Sequence, residues 1–204
     1  DVGCGWGGLL DRFVRVHGAA GGTGITMSPA QAAFATARKV PGAHFGLQSW
    51  TAHDPTEPYD AITCVEATEH FASERLTPDE KVQVYREFFE RAASWLRPDG
   101  KLGLQAICLD NAGHDGSRPG RMPYTDLLLD HIFPESMSPA LSELVLGWET
   151  HFQLEQFHAH PDHYVRTFRA WALAHRRHED EARALVGRDV SRTHARYFAG
   201  SEAL

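Results

Sequence analysis

The stretch that decides the fold is Asp1-Val2-Gly3-Cys4-Gly5-Trp6-Gly7-Gly8, at the start of the 204-residue sequence. It predicts the end of a buried strand, followed by a glycine-rich turn that opens a helix. Glycine lacks a Cβ, so such a turn can adopt positive φ and let backbone N–H groups approach a ligand closely. Open α/β sheets bind nucleotides at the carboxyl ends of their strands, which is where Asp1 is expected. We therefore expect a cofactor that contains adenosine.

The rest of the chain first alternates between strand and helix patterns. Strands are predicted at 22–27, 44–48, 60–66 and 101–108, and helices at 7–17, 30–39 and 77–96. Strands alternating with helices of this length indicate βαβ units and a parallel sheet. Further along we predict a loop at 110–121, short helical pieces, a strand at 151–157, a long helix at 161–186 and a helix from 193.

The composition indicates which partners and which cellular compartment the protein is expected to have. The formal net charge is −7 and no run of Lys or Arg forms a basic stripe, which argues against a nucleic-acid partner. No apolar run reaches the roughly 18 residues that span a bilayer. The three cysteines are few, odd in number and without paired spacing, which indicates a reducing compartment, and we expect a cytoplasmic protein. We predict no metal, since the histidines at 158–163 have no cysteine and no second carboxylate nearby. The sequence leaves a homodimer open.

The glycine motif alone does not select the cofactor. Gly3, Gly5 and Gly8 also satisfy the dinucleotide pattern, but the next strand ends in 24–28 without the acid that would hold an NAD ribose. Many methyltransferases place an acid there too, so its absence is not decisive. The form Asp-x-Gly-x-Gly-x-Gly resembles motif I of class I S-adenosylmethionine methyltransferases. The segments 60–66 and 96–104 match later motifs of that fold, which favours a methyltransferase over a dehydrogenase.

Six ordered segments resemble the cyclopropane fatty acid synthase family, including its mycolic acid branch. They are 1–8, 24–31, 47–50, 65–71, 132–143 and 163–171. The resemblance implies an α/β, Rossmann-like class I methyltransferase with a mainly parallel seven-stranded sheet and helices on both faces. It also implies a single domain over 1–204, with a helical cap insertion at about 109–148 and a further segment preceding motif I.

The resemblance also assigns residues to S-adenosylmethionine. In 24–31, hydroxyl and amide side chains stand where an acid usually holds the ribose, and 47–50 resembles the family's adenine-lining segment. Core packing for Trp50 and a turn-capping role for Glu66 stay open as alternatives. The cofactor-binding residues implied are Asp1, Gly3, Gly5, Gly7, Thr26, Ser28, Gln31, Gln48, Trp50 and Glu66.

The chemistry that the resemblance implies is methyl transfer to an alkene, followed by proton removal by a bound bicarbonate. Its protein shell carries over to Glu69, Ile107 and Tyr164, whereas a cysteine of that shell falls upstream of motif I. Gln105 stands at the shell's histidine position, and an amide can donate to an anion but cannot take up a proton. His70, beside Glu69, is a second candidate for proton transfer because histidine titrates near neutral pH.

Three functions remain in competition. We expect methyl transfer from S-adenosylmethionine to carbon or nitrogen of a hydrophobic small molecule of the natural-product type. The alternative is cyclopropanation or methylation of an unsaturated fatty acyl chain, so the acceptor is a small molecule or a lipid. A cofactor-binding module without catalysis is the third, and the departure at Gln105 is the feature that supports it.

Overall fold

A computed structural model describes residues 1–73, 75–109, 123–134 and 136–202. The chain divides into two compact units. The first, which we call the sheet unit, comprises Asp1–Ala112 and Met137–Gln153. The second, the helical unit, comprises Gly113–Ser136 and Leu154–Leu204. The segment predicted as a cap is thus shared between the two units, and its role as a cap stays a prediction.

The sheet unit is built on parallel strands. The strands are β1 (Gly22–Thr26), β2 (Ala43–Leu47), β3 (Tyr59–Val65) and β4 (Leu96–Gln105). β1 pairs with β2, and β3 pairs with β4, in parallel register. Val2 forms parallel bridges to Ile25 of β1 and Cys64 of β3, so the order is β2–β1–Val2–β3–β4. The opening motif therefore leaves the middle of a parallel sheet, which confirms the parallel α/β prediction.

The described residues of the whole chain form eight α-helices, two 3₁₀ turns at 50–52 and 68–70, and a π-helical turn at 128–132. They are α1 (Gly8–His17), α2 (Pro29–Ala37), α3 (Pro78–Trp95), α4 (Pro123–Leu127), α5 (Leu141–Trp148), α6 (Pro161–Arg177), α7 (Glu179–Val186) and α8 (Arg188–Glu202). The first three begin and end close to the predicted limits, whereas α8 begins five residues before the predicted start at 193.

Helix α3 carries the largest share of the core of the sheet unit. It starts with a capping box, in which the Glu80 N–H donates to the Thr77 hydroxyl and the Thr77 N–H donates to the Glu80 carboxylate. These bonds satisfy N–H groups that the first turn leaves without partners. The helix buries one apolar face, and its fully buried side chains include Tyr85, Phe88 and Phe89. Helix α5 packs on this face, where a Cβ on Gly147 would lie 2.9 Å from the Cβ of Tyr85.

Strand β4 departs from the predicted limits. Tyr59 pairs with Leu96 and Ala61 pairs with Lys101, so the residues at 97–100 bulge out of the ladder. Asp99, in this bulge, has a φ of +63°. The turn predicted at 98–100 is therefore present inside the strand. The strand ends at Gln105, three residues before the predicted end, and leaves Ile107 and Cys108 in the following loop.

The helical unit is held by aromatic contacts between α6 and α8. The rings of Phe168 and Tyr197 lie 5.3 Å apart, and those of Trp171 and Phe198 lie 5.9 Å apart. The single helix predicted at 161–186 is wrong, because the chain leaves helical geometry at His178 and α7 starts again at Glu179. The strand predicted at 151–157 is also wrong, since that segment has no regular structure. The loop predicted at 110–121 lies outside the described residues.

Candidate active site

The glycine loop has the geometry that the sequence predicts. Gly3, Gly5 and Gly7 have φ values of +73°, +52° and +76°, which only glycine adopts without strain. A Cβ on Gly3 would lie 2.5 Å from the Cβ of Ala67, so this glycine also permits a close approach. A Cβ on Gly5 would meet nothing within 4 Å. The loop thus packs on the turn after β3 on one side and faces open space at Gly5.

Two polar clusters flank this loop at the carboxyl edge of the sheet. The Thr63 hydroxyl of β3 donates to Oδ1 of Asp1 at 2.7 Å. After β1, the Thr26 hydroxyl donates to Oε1 of Gln31 at 2.7 Å, and the Gln31 N–H donates to the Ser28 hydroxyl at 3.3 Å. The structure therefore brings Thr26, Ser28 and Gln31 together where α2 begins, although their contact with a ribose stays a prediction.

The two other predicted adenine-side residues have structural partners of their own. The Gln48 amide donates from Nε2 to the carbonyl of Ala52, and Oε1 lies 3.2 Å from Nδ1 of His53. The Trp50 ring packs 5.2 Å from Phe71 and 5.6 Å from Phe88. Both side chains hold the 50–52 turn against the core, and a role at the adenine stays a prediction.

An apolar rim along this edge was not predicted. The exposed side chains of Met27, Leu47 and Val65 lie at the carboxyl ends of β1, β2 and β3, and Trp6 stands edge-on to Phe34. Apolar surface beside a polar cluster is what a ligand such as adenosine contacts. Met27 is 71% exposed. An apolar residue at the carboxyl end of a predicted strand is the sequence signal that could have identified it.

Glu69 is a buried carboxylate fixed at both oxygens. It is only 7% exposed, in the 3₁₀ turn that follows β3. Oε1 accepts the Ile107 N–H at 2.6 Å, and Oε2 accepts the Thr68 hydroxyl at 3.2 Å. The Glu69 carbonyl accepts the Met137 N–H at 2.7 Å. A charge at this degree of burial needs such partners, and the turn carrying it packs on the glycine loop through Ala67.

Two thiols and one phenol near Glu69 are held in their neutral forms. Burial, followed by the negative charge of Glu69, raises the pKa of the Cys64 thiol to about 12. The same two causes raise the pKa of Cys108. Burial also raises the pKa of Tyr85, and the charges of Glu143 and Glu69 raise it further. None of these three groups carries a charge at neutral pH, so they add no negative charge next to Glu69.

Sequence reasoning missed the polar residues that α3 and α5 bring to this cluster. Lys81 is 8% exposed and its Nζ lies 3.4 Å from the Met137 sulfur, and Glu143 is 9% exposed. Lys81 and Tyr85 occupy consecutive turns on the apolar face of α3. A lysine inside an apolar stripe was the sequence signal that could have identified these buried polar residues.

Two predicted catalytic residues have different surroundings. His70 is exposed beside the buried Glu69. Tyr164 lies half-buried on α6 in the helical unit, where its ring is 6.3 Å from Phe168. Their catalytic roles stay predictions.

The two predicted anion donors are both engaged by carboxylates. Nε2 of Gln105 donates to Oε1 of Glu66 at 2.9 Å, and the Ile107 N–H donates to Glu69. Because both donors are already bound to carboxylates in this arrangement, these residues do not fit a bound bicarbonate. Among the described residues, no three histidine, cysteine, aspartate or glutamate side chains are grouped to hold a metal ion. No helix in the described ranges is both long and apolar enough to cross a membrane.

Comparison with known proteins decides the family. The family model for mycolic acid cyclopropane synthetase matches residues 1–204. This chain belongs to that family. Cyclopropane mycolic acid synthase 2 of Mycobacterium leprae is 30% identical over 218 residues, covering 100% of this chain and 69% of that protein. The family resemblance expected from the sequence is thereby confirmed.

Solved structures of similar proteins agree with the fold. The cyclopropane synthase MmaA2 from Mycobacterium tuberculosis has a TM-score of 0.83 and 27% identity, covering 100% of this chain and 71% of its own. The mycolic acid cyclopropane synthase CmaA1, complexed with SAH and CTAB, has a TM-score of 0.82 and 25% identity, with the same coverage. The chain is a Rossmann-like class I methyltransferase that uses S-adenosylmethionine.

The glycine loop fits this cofactor. The positive φ values at Gly3, Gly5 and Gly7 and the open side of Gly5 provide a surface that a ligand can approach closely. The hydroxyl and amide groups of Thr26 and Gln31, at the end of the adjacent strand, suit ribose hydroxyls.

Proposed function

We propose that the protein transfers the methyl group of S-adenosylmethionine to the double bond of an unsaturated acyl chain, giving a cyclopropane or a methyl-branched product. The observation that carries this proposal is the buried Glu69 carboxylate, held by Ile107 in a turn that packs on the glycine loop through Ala67. The similar proteins are cyclopropane mycolic acid synthases by name, which supports a lipid acceptor over a natural product.

The cofactor, when bound, supplies an electrophilic methyl group on a positively charged sulfur. Attack by an alkene leaves positive charge on the acceptor carbon, and a fixed anion nearby stabilises that charge without needing to reorganise. We assign this role to Glu69, which would also take up the proton that the acceptor loses. Cys64, Cys108 and Tyr85 have raised pKa values and stay neutral, so these three groups add no further negative charge beside Glu69. The apolar rim would exclude water from the carbocation.

Methylation of carbon or nitrogen in a hydrophobic small molecule is the second candidate. The hydrogen bond between Gln105 and Glu66 favours it, because an amine attacks through its own lone pair and can release its proton to water, so it needs no bound anion as a base. We also propose that the complete sheet has the family's seven strands with helices on both faces. A reducing, cytoplasmic location is supported by the three free thiols. A homodimer stays a prediction.

The test follows the methyl label in a cell extract. The full protein is incubated with S-adenosylmethionine labelled at the methyl group, and the extract is separated into lipids and water-soluble metabolites. We expect label in the acyl chains of the lipid fraction. Label confined to a soluble amine or phenol would support the second candidate, and no label in any fraction would support a binding module without catalysis.

A further inference from the structure

Glu66 occupies an unfavourable backbone conformation directly after β3. Its φ is +51°, in the left-handed region that a side chain with a Cβ rarely adopts. Such a conformation is energetically costly and persists only where the surroundings enforce it. The residue is exposed, so core packing on its side chain does not enforce it.

Gln105 holds Glu66 in this conformation through two hydrogen bonds. The Glu66 N–H donates to the Gln105 carbonyl at 2.8 Å, which extends the β3–β4 ladder by one residue. Nε2 of the Gln105 side chain donates to Oε1 of Glu66 at 2.9 Å. The backbone and the side chain of Glu66 are therefore both fixed by one residue at the end of β4.

The conformation of Glu66 sets the path of the turn that carries Glu69. Ala67, the next residue, packs on Gly3 so closely that an added Cβ would lie 2.5 Å away. Glu69 then reaches back to the N–H of Ile107, two residues beyond Gln105. A rotation at Glu66 would move the Glu69 carboxylate relative to the glycine loop. Misplacement by about 1 Å can lower a rate by about a hundredfold.

We infer that Gln105 is a positioning residue, which acts through Glu66 to hold Glu69 in place and does not itself contact the acceptor or an anion. The inference rests on the proposed function of Glu69. It differs from the role that the family resemblance implies for this position, which is direct contact with a bound anion. Gln105 and Glu66 are on this account one unit, and the loss of either should matter only through the turn.

A double-mutant cycle tests this. Gln105→Ala in the full protein should lower kcat by about ten- to a hundredfold, with the acceptor KM and the affinity for S-adenosylhomocysteine within about twofold. Glycine adopts positive φ without strain, so in a Glu66→Gly background the same Gln105→Ala change should lower kcat by less than about threefold. Gln83→Ala, an exposed glutamine on α3, is the matched control and should leave kcat unchanged.

Each contrary result overturns the inference. Equal losses in both backgrounds, or a loss mainly in KM, would mean that Gln105 contacts the acceptor or an anion directly. A Glu66→Gly variant without turnover would mean that the Glu66 side chain has a chemical role that glycine cannot replace. The cycle is measured with whichever acceptor takes the label, so a failure of the proposed lipid acceptor is seen separately in the wild-type protein.

Discussion

At the residue scale, the proposed chemistry depends on Glu69. It is buried, hydrogen-bonded at both oxygens and carried by a turn that touches the glycine loop. Groups with raised pKa values, such as Cys64 and Tyr85, lie around it, as is common at active sites. The geometry explains why a carboxylate remains at a position that is otherwise unfavourable for charge.

Replacing Glu69 with glutamine should separate chemistry from binding. Glu69→Gln keeps the shape and an acceptor for the Ile107 N–H, but it removes the charge and the base. We expect turnover to fall by about 10²- to 10⁴-fold, while calorimetry shows S-adenosylhomocysteine affinity within about threefold. Glu90→Gln, an exposed carboxylate on α3, is the control and should change neither quantity. Turnover that survives Glu69→Gln would remove this residue from the mechanism.

Gly3 should tolerate no side chain. Gly3→Ala places a Cβ at a φ of +73° and 2.5 Å from the Cβ of Ala67. We expect the free energy of unfolding to fall by about 1–3 kcal/mol and cofactor affinity to be lost, measured by urea denaturation and calorimetry. Gly8→Ala is the matched control, because Gly8 lies in α1 and an added Cβ would meet nothing within 4 Å. Equal effects of the two substitutions would contradict the packing described here.

At the element scale, the sequence predicts a helix more accurately where capping residues mark its ends than where hydrophobic spacing alone indicates it. The start of α3 is predicted by the sequence Thr77-Pro78-Asp79-Glu80, and the capping box in the structure confirms this start. The segment at 161–186 has helical spacing throughout but no glycine or proline near its break. The acids of 179–181 form the first turn of α7, where negative charge is favourable, and they were the overlooked signal.

The incorrect prediction of a strand at 151–157 also has a physical cause. Phe152 and Leu154 alternate with polar residues, which suggests a strand. In the structure, Phe152 packs 6.1 Å from Phe89, whereas Leu154 is exposed. Alternation predicts a strand only if a neighbouring strand offers its backbone, and sequence periodicity does not report that neighbour. The site shows the same limit, since the motifs located Glu69 but not Lys81 or Glu143, which depend on helix packing.

The cap of α3 should contribute measurably to stability. Thr77→Ala removes the hydroxyl that accepts the Glu80 N–H, and we expect it to lower the free energy of unfolding by about 1 kcal/mol in urea denaturation. Thr51→Ala, in the exposed 50–52 turn, is the control and should cost less. Equal losses for the two variants would show that the capping box adds nothing.

The same cap gives a pH dependence with a defined sign. Hydrogen bonds from the backbone and side chain of Thr77 lower the pKa of Glu80 below its ordinary value of 4.5. A lowered folded-state pKa stabilises the fold above that ordinary value, and the contribution is lost as the pH falls through the folded-state pKa. The stability difference between wild type and Glu80→Gln should therefore be present at pH 7 and should shrink in acid. A pH-independent difference would contradict this assignment.

At the scale of the whole molecule, Cys64 reports on the integrity of the sheet. It is fully buried on β3, and its pKa of about 12 makes the native thiol unreactive at neutral pH. S-adenosylhomocysteine at about a hundred times its Kd should stabilise the folded state by about 2.7 kcal/mol. Alkylation of Cys64 should then slow by about a hundredfold when it follows reversible opening. Peptide mass spectrometry measures the rate, with exposed Cys108 as the internal comparison.

A cofactor loop, a buried carboxylate and an apolar edge occur together in this member of the mycolic acid cyclopropane synthetase family. The most direct test of the proposed reaction uses S-adenosylmethionine with a trideuterated methyl group and a defined lipid that carries one unsaturated acyl chain. We predict an acyl chain that is one carbon larger, which has lost one deuteron if the product is a cyclopropane and keeps all three if it is methyl-branched. An unmodified acyl chain, with all three deuterons transferred intact to nitrogen or oxygen of another acceptor, would contradict it.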